Sequence, residues 1–398
     1  MAVLRTTIQT AAPALEVADI VRAHGAEYVQ THGVTGEQRR VLRALVQCRT
    51  ARLGGHVEAC EKCGATRLAY NSCRDRHCPK CQGLQQVRWV EQQVADLLPL
   101  EYYHVIFTLP HELQEVARRE PRAVYDLLFA AASGSLQELG QRELGGEVGV
   151  TAVLHTWGQT LQYHIHLHCL VTGGALSADG QRLRRCRVGF LVSVERLSAS
   201  YRAHYCAGLR RWAERAEPAL GAQLAVLAQT LQEREWVVYA QRPLCGPEQV
   251  IKYVGRYTQR VAISNGRLLS LTAGQVRFRY KDYRRGGLWQ VMELSAAEFL
   301  RRFLQHVLPA GYVRIRHYGL LASRGRAQKL ARCRVLLQVA EPERAPGREP
   351  SAALFQRLTG QDLRQCAQCG AVQMVVVVVW EAGESPPGVR WSPERSVG

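Results

Sequence analysis

The segment from His56 to Gln82 constrains the fold of this 398-residue chain more than any other. It is rich in Cys, His, Arg and Gly and has little apolar periodicity, so a stable core there must come from bound metal. Two Cys-x2-Cys pairs, Cys60 with Cys63 and Cys78 with Cys81, are 14 residues apart. This spacing suits tetrahedral thiolate coordination of one Zn²⁺. The sequence therefore predicts a structural zinc site formed by these four cysteines.

Other side chains of this segment are alternative ligands. His56, Cys73 and His77 could replace one of the four cysteines or build a second metal site. A further pair, Cys366 and Cys369, has no mate in the nearby sequence and predicts only half a site. With 13 cysteines, several of them in such pairs, the chain is typical of a metal-binding protein from a reducing compartment rather than of a disulfide framework.

The charge of the chain points to polyanionic partners. Lys and Arg number 52 against 34 Asp and Glu, a formal net charge of +18. This excess of positive charge makes nucleic acid the first candidate partner and an anionic membrane the second. No apolar run approaches the roughly 18 residues of a membrane span, and no signal peptide is evident, so we expect a cytoplasmic protein without a membrane partner. Arg74, Arg76 and Lys80, beside the cysteines, would form a basic surface for phosphates, although a solvated charged face fits the same residues.

Three histidines alternate along one apolar segment. In the stretch from Tyr163 to Val171, His164, His166 and His168 point to the same face of a predicted strand. Three imidazoles on one face predict a divalent-metal site, whereas a single one would usually be a core residue. A hairpin would bring His155 of the preceding strand beside them. Imidazole ligands alone do not choose among Zn²⁺, Mn²⁺, Mg²⁺ and Ni²⁺.

Two tyrosines lie one helical turn apart. Pro247 opens a predicted helix to about residue 260, which places Tyr253 and Tyr257 on one face. The flanking cations are Lys252, Arg256 and Arg260. The spacing also describes an ordinary core stripe. In a basic chain that also has a histidine metal site, the combination favours a tyrosine nucleophile activated by neighbouring cations and a metal-polarised phosphate.

The order of elements predicts an α+β fold. Strands and helices alternate without the rhythm of a parallel sheet, which favours an antiparallel one. Strands are predicted at 103–109, 149–157, 163–172, 236–240, 275–283 and 288–294. Residues 340–350 and 382–398 have the composition of a linker and a loose tail.

Several of these motifs together resemble one family. They are Asn71-Ser-Cys-Arg-Asp-Arg-His-Cys-Pro-Lys-Cys-Gln82, Phe107-Thr-Leu-Pro110, His155-Thr-Trp-Gly-Gln-Thr-Leu-Gln-Tyr-His-Ile-His-Leu-His168, Tyr253-Val-Gly-Arg-Tyr257 and Arg314-Ile-Arg-His-Tyr-Gly319. In this order they resemble the rolling-circle transposases of the insertion-sequence-91 type, over roughly residues 40 to 320.

The resemblance implies an HUH endonuclease-like fold with an added N-terminal zinc-binding module. It assigns the His-hydrophobic-His pair to His166 and His168, with His164 and His166 as the competing register, and makes His155 the third ligand of a catalytic Mg²⁺ or Mn²⁺. It makes Tyr253 and Tyr257 the nucleophiles that cut DNA. The implied partner is single-stranded or hairpin DNA at the ends of a mobile element, in a bacterial, nucleoid-associated setting without a nucleotide cofactor.

The resemblance also predicts a domain order. We expect an N-terminal helical region at 1–50, the zinc-binding module and a helix at 51–98, the catalytic domain at 99–320 and a C-terminal extension at 321–398.

Two other functions fit the same residues. A plasmid replication initiator or relaxase would use the same chemistry. A non-catalytic zinc-dependent DNA-binding regulator would use the histidines for a second structural zinc and the tyrosines as core. The sequence leaves the oligomeric state open.

Overall fold

The computed structural model describes residues 15–81, 83–189, 191–241, 255, 262–342 and 349–384. These residues form two compact units. The first takes the described residues of 1–87, 259–304 and 345–398, and the second those of 88–258 and 305–344. This division differs from the boundaries predicted at residues 50, 98 and 320, because residues 262–304 and 349–384 join the N-terminal elements.

Helices and strands are numbered here in chain order within the described residues. The helices are α1 Val17–Thr31, α2 Gly36–Gln47, α3 Gly83–Ala95, α4 Gln114–Arg119, α5 Pro121–Leu139, α6 Val194–Ala213, α7 Pro218–Gln232, α8 Ala296–Leu304, α9 Arg326–Leu337 and α10 Ser351–Thr359. The strands are β1 Gly55–Cys60, β2 Thr66–Tyr70, β3 Tyr102–Thr108, β4 Glu147–Trp157, β5 Tyr163–Leu176, β6 Leu183–Arg185, β7 Val238–Gln241, β8 Leu268–Thr272, β9 Gln275–Asp282, β10 Leu288–Ser295, β11 Ile315–Gly319 and β12 Met374–Trp380.

The first unit holds two three-stranded antiparallel sheets, in the orders β12-β1-β2 and β10-β9-β8. Helix α8 follows β10 and packs against α1, which also packs against α2. The start of α2 is encoded locally, because Thr35 accepts a hydrogen bond from the Gln38 amide while the Gln38 side chain accepts one from the Thr35 amide. Gln38 also donates to the carbonyl of Leu304 at 3.0 Å, which ties α2 to the end of α8.

In the sheet β12-β1-β2, the central strand lies between one neighbour close in sequence and one far away. Strand β12 pairs antiparallel with β1, from Gly55 opposite Trp380 to Cys60 opposite Met374. Gly55 permits this contact, because a Cβ there would lie 2.4 Å from the carbonyl oxygen of Ala69 and 2.8 Å from the Trp380 ring. The apolar run before Trp380 is therefore a sheet strand.

The second unit is built on an antiparallel sheet in the order β11-β4-β5-β3-β7, with β6 pairing to β5. Side chains alternate between its faces. One face packs on α5, α6 and α7 through a core that includes Phe107, Leu167 and Tyr201. The other face carries Val153 and Leu170 and packs against a cluster that includes residues of α3 and α9. The histidines lie on this second face.

The predicted α+β class with an antiparallel sheet is confirmed, as are the six predicted strands within a few residues. The predicted helix at 247–260 lies outside the described residues, apart from Gly255. Residues 343–348 of the predicted linker and residues 385–398 of the predicted tail also lie outside them. Within the described residues, no helix is long and apolar enough to cross a membrane.

Candidate functional site

His155, His166 and His168 meet on β4 and β5, two neighbouring inner strands of the sheet β11-β4-β5-β3-β7. The antiparallel pairing of β4 and β5 places His155 directly opposite His166, and His168 lies two residues further on the same face. The ligating nitrogens of the three side chains all lie within 4.8 Å of one another. The short connection between the strands makes this geometry a direct outcome of local sequence.

Hydrogen bonds set the orientation of two of these rings. The Nδ1 of His166 lies 2.9 Å from the carbonyl oxygen of His164, so this nitrogen donates and Nε2 carries the lone pair. The Nε2 atoms of His166 and His168 are 3.1 Å apart. His164 itself is exposed and lies outside the three-histidine cluster. Of the two predicted histidine pairs, the structure thus brings His166 and His168 together with His155 and leaves His164 outside.

A fourth histidine, His104 of β3, supports the cluster, and the sequence did not single it out. Its Nε2 lies 2.8 Å from Nδ1 of His168, and the two rings are stacked with centroids 5.0 Å apart. This contact occupies Nδ1 of His168 and leaves its Nε2 to face His166. Such outer partners of metal-binding histidines fix ring orientation and tautomer.

Burial keeps the imidazoles of His166 and His168 neutral. It acts with repulsion from His164 to lower the pKa of His166 to about 3. Burial and the nearby His155 and His166 likewise hold the pKa of His168 well below its ordinary value. Neutral imidazole is the form that binds a metal. Three converging nitrogen ligands fit a divalent ion that keeps open positions for substrate oxygen.

The two tyrosines of the predicted active site, Tyr253 and Tyr257, lie outside the described residues, as do Lys252, Arg256 and Arg260. Gly255 between the tyrosines is described and is buried. A Cβ on Gly255 would lie 2.2 Å from Cγ2 of Val90 in α3. Val90 in turn packs against the apolar cluster on the histidine-bearing face of the sheet.

Eight of the cysteines that the structure describes form two clusters of four, and the predicted set of Cys60, Cys63, Cys78 and Cys81 is divided between them. The first cluster consists of Cys48, Cys73, Cys78 and Cys81. The second consists of Cys60, Cys63, Cys366 and Cys369. Each cluster draws a member or a pair from outside the segment 56–82, which is why the local spacing did not predict it.

In the first cluster, Sγ of Cys81 lies 3.2 Å from that of Cys48 and 3.6 Å from that of Cys73. Cys48 follows the end of α2 and is fully buried. Contact with the Cys48 thiol, then with Cys73 and Cys81, and burial raise the pKa of Cys78 far above its ordinary value. Four thiolates this close repel one another, and a bound cation would offset that repulsion.

The two alternative histidine ligands lie outside both clusters. His77 is buried, and its Nδ1 lies 2.9 Å from the carboxylate of Asp75, which also pairs with Arg40 at 2.7 Å. Hydrogen bonds from the His77 side chain and backbone outweigh burial and hold the pKa of Asp75 at about 2. His56 lies 3.5 Å from the carboxylate of Glu58. Both histidines therefore contact carboxylates, and neither belongs to a cysteine cluster.

Three predicted phosphate contacts lie beside the first cysteine cluster. Arg74 is exposed and has a left-handed backbone conformation with φ of 52°. Arg76 is half-buried. Lys80 is paired with the carboxylate of Glu16 at 2.7 Å, so part of its charge is already offset. Arg74 is the most open of the three to a phosphate.

Comparisons with known proteins agree with this architecture. A family model described as "Transposase zinc-binding domain" matches residues 20–109, and one described as "Putative transposase" matches residues 149–329. The chain is 46% identical to "Putative transposase y4qJ" of Sinorhizobium fredii over 94% of its length and 97% of that protein. The chain belongs to the insertion-sequence-91 family of transposases.

A second relative carries an insertion-sequence name. This transposase is 27% identical to "Transposase for insertion sequence element IS801" of Pseudomonas savastanoi pv. phaseolicola, over 87% of the chain and 85% of that protein. No solved structure matches the chain. The family match confirms the resemblance read from the motifs and the presence of a zinc-binding domain.

Proposed function

We propose that this transposase moves DNA by cutting and rejoining single strands through a 5'-phosphotyrosine link, as an HUH endonuclease of the rolling-circle type. The observation that carries the proposal is the convergence of His155, His166 and His168 on adjacent central strands of an antiparallel sheet. These side chains would hold Mg²⁺ or Mn²⁺, which when bound would polarise the scissile phosphate.

In the proposed cleavage, Tyr253 or Tyr257 attacks the phosphorus in line. A bond forms between the phenolic oxygen and phosphorus while the bond to the 3' oxygen breaks. The phenolic proton is lost and the leaving oxygen gains one, which leaves a free 3'-hydroxyl. Rejoining reverses the exchange with another 3'-hydroxyl, so no nucleotide cofactor is consumed. Two tyrosines allow a second cut while the first link persists.

The packing of Gly255 supports this assignment of the tyrosines. Its buried backbone lies against Val90, whose helix covers the sheet face that bears the histidines. Gly255 is two residues from Tyr253 and two from Tyr257. Lys252, Arg256 and Arg260 are proposed to neutralise DNA phosphates and to favour the ionised phenol.

For the structural zinc of the N-terminal domain, we propose the ligands Cys48, Cys73, Cys78 and Cys81. All four lie within the matched residues 20–109, and their sulfur atoms lie within 4.8 Å of one another. Metal at this site would fix the loop that carries Arg74 and Arg76, the proposed phosphate contacts. The preferred substrate is single-stranded or hairpin DNA at the ends of the element, bound within the nucleoid of a bacterial cytoplasm.

A denaturing gel tests the chemistry. Purified protein is incubated with Mn²⁺ and single-stranded DNA labelled on the 3' side of the cut, using the element's end sequences. We expect a covalent adduct that is lost when Tyr253→Phe and Tyr257→Phe are combined, and lost with His166→Ala. Tyr280→Phe is the matched control, because Tyr280 lies on β9 outside the proposed site. Adducts that survive the double tyrosine substitution would refute the nucleophile, and metal-independent binding without any adduct would favour a regulator.

A further inference from the structure

The second cysteine cluster joins two distant parts of the chain. Cys60 is the last residue of β1 and Cys63 follows it, whereas Cys366 and Cys369 precede β12. Sγ of Cys60 lies 3.6 Å from Sγ of Cys369, and Sγ of Cys63 lies 3.6 Å from Sγ of Cys366. In a tetrahedral site with Zn–S bonds of about 2.3 Å, sulfur atoms are about 3.8 Å apart. These two distances are thus already near the spacing that zinc requires, and all four sulfur atoms lie within 4.8 Å of one another.

The two cysteine pairs have the same sequence pattern and the same backbone. Both read Cys-x-x-Cys-Gly-Ala, as Cys60 to Ala65 and Cys366 to Ala371. The Gly64 amide donates to the Cys60 carbonyl and the Gly370 amide to the Cys366 carbonyl, both at 2.9 Å. Both glycines have φ of 73°. The geometry is therefore that of two matched knuckles, each of which presents two thiolates to a common point.

A second repeated hydrogen bond shows that the match extends past the turns. The amide of Cys60 donates to the carbonyl of Ala65 at 2.8 Å, and that of Cys366 to the carbonyl of Ala371 at 2.8 Å. The knuckles are then held side by side, because the amide of Glu61 donates to the carbonyl of Gln373 at 3.1 Å. Backbone pairing of β1 with β12 continues this contact.

We propose that Cys60, Cys63, Cys366 and Cys369 bind a second structural Zn²⁺, which ties residues 349–384 to the N-terminal zinc domain. The matched family region ends at residue 109, so half of this centre comes from outside it. The small apolar cluster of Cys60, Cys366 and Met374 offers little core of its own. Metal bound here would therefore add to the stability that backbone pairing gives to the contact of β12 with β1.

Zinc content of the full-length protein tests the proposal. His166→Ala with His168→Ala serves as the background, so that the count reports thiolate sites alone. We expect two zinc ions per chain by elemental mass spectrometry, and one when Cys366→Ser and Cys369→Ser are added. Cys186→Ser is the matched control and retains two, because Cys186 belongs to neither cluster. Two ions retained after the double serine substitution, or one in the background protein, would overturn the proposal.

A second measurement distinguishes loss of zinc caused by a missing ligand from loss of zinc caused by misfolding. Cys366→His keeps a metal ligand at the same place, so we expect it to retain both ions and to change the visible spectrum of the Co²⁺-loaded protein. Disulfides joining Cys60 to Cys369 and Cys63 to Cys366 in protein purified under reducing conditions, together with one zinc per chain, would replace the zinc centre by a covalent one.

An independent observation concerns the exposed face of the sheet β10-β9-β8. Along β9, Val276 and Phe278 are buried while Arg277 and Arg279 are exposed on the opposite side. Lys281 lies opposite Trp289 of β10, with Nζ 5.4 Å from the ring centroid. Trp289 is 55% exposed, and Tyr283 at the following turn is 64% exposed. The one carboxylate among these cross-strand partners, Glu293, pairs with Arg277 at 3.4 Å.

We infer that this face, defined by Arg277, Arg279, Lys281, Tyr283 and Trp289, is a stacking platform for single-stranded DNA. Cations along one strand match a phosphate backbone, and exposed aromatic rings offer faces on which bases stack. The inference rests on the proposed function only in taking single-stranded DNA as the partner. It assigns to the first unit a binding role separate from strand cleavage.

Fluorescence anisotropy with a labelled oligothymidylate tests the platform without added Mg²⁺ or Mn²⁺. We expect Trp289→Ala to weaken binding about tenfold and Trp289→Phe to stay near wild type, because one stacked base is lost only in the former. Arg277→Ala with Arg279→Ala should reduce the slope of log affinity against log salt by about 1.4. Arg211→Ala with Arg215→Ala is the control of equal charge at an exposed site elsewhere.

The two failures are distinguishable. Unchanged affinity and salt slope in all platform variants, or binding of duplex at least as tight as that of single strands, would overturn the platform even if tyrosine adducts form. Absence of adducts with binding that still depends on Trp289 would leave the platform and refute the chemistry.

Discussion

The contact between His104 and His168 sets which nitrogen of His168 faces His166. In His104→Phe, the new side chain keeps an aromatic ring against His168 but removes the acceptor 2.8 Å from its Nδ1. His168 then loses the hydrogen bond that favours the tautomer with a free Nε2. Loss of such an outer partner typically lowers metal affinity 10- to 100-fold, or about 1.4 to 2.8 kcal/mol.

The assay is a Mn²⁺ titration of full-length protein. Metal binding is measured by calorimetry, and the yield of covalent adduct is measured at each Mn²⁺ concentration. We expect the Mn²⁺ concentration for half-maximal adduct to rise about 10- to 100-fold, while the yield at saturating Mn²⁺ stays near wild type. His164→Phe is the matched control, because His164 lies on β5 with His166 and His168 but outside the three-histidine cluster.

Two results would refute this reasoning. One is Mn²⁺ affinity of His104→Phe within twofold of wild type while His166→Ala abolishes binding. The other is a fall in adduct yield at saturating Mn²⁺ with unchanged affinity, which would place the role of His104 outside metal binding.

Three further predictions follow from local packing, burial and the first cysteine cluster. Gly255→Ala should lower the free energy of unfolding, measured in urea, by about 1–3 kcal/mol, because its Cβ would lie 2.2 Å from Val90. Adding Val90→Ala should restore part of this lost stability. A double variant whose loss of stability equals the sum of the two single losses would contradict this packing. Burial lowers the pKa of His317 to about 4, so stability present above pH 6.5 is lost as pH falls toward 4. Between pH 7 and pH 5, His317→Gln should therefore lose about 2 kcal/mol less than wild type, and equal losses in paired urea titrations would count against it. Cys48→Ser, in the histidine-substituted background, should remove one zinc ion by elemental mass spectrometry, and unchanged content would exclude Cys48 as a ligand.

Local contacts made the histidine-bearing hairpin of β4 and β5 predictable. The strict alternation from His164 to His168 identifies one strand face, and the short connection to β4 leaves antiparallel pairing as the simple outcome. Only the register had to come from the structure, which places His155 opposite His166.

Distant contacts were not predictable in the same way. Cys48 lies in the predicted helical region 1–50, outside the Cys-rich segment 56–82, and nothing near Cys366 indicated a partner 303 positions away. His104 is a single histidine in an apolar strand, a pattern that usually describes a core residue. Its role depends on the pairing of β3 with β5, which is a property of the sheet rather than of the segment.

The pairing of β1 with β12 also has a consequence for synthesis on the ribosome. At about 5–20 residues per second, roughly 15 to 60 seconds separate the emergence of Cys63 from that of Cys366. During this interval β2, one neighbour of β1 in the finished sheet, has been synthesised, whereas β12 and the second pair of thiols have not. The residues of the second unit, 88–258 and 305–344, leave the ribosome in the meantime. The first unit, which contains β1 and β2, is therefore completed after the second unit.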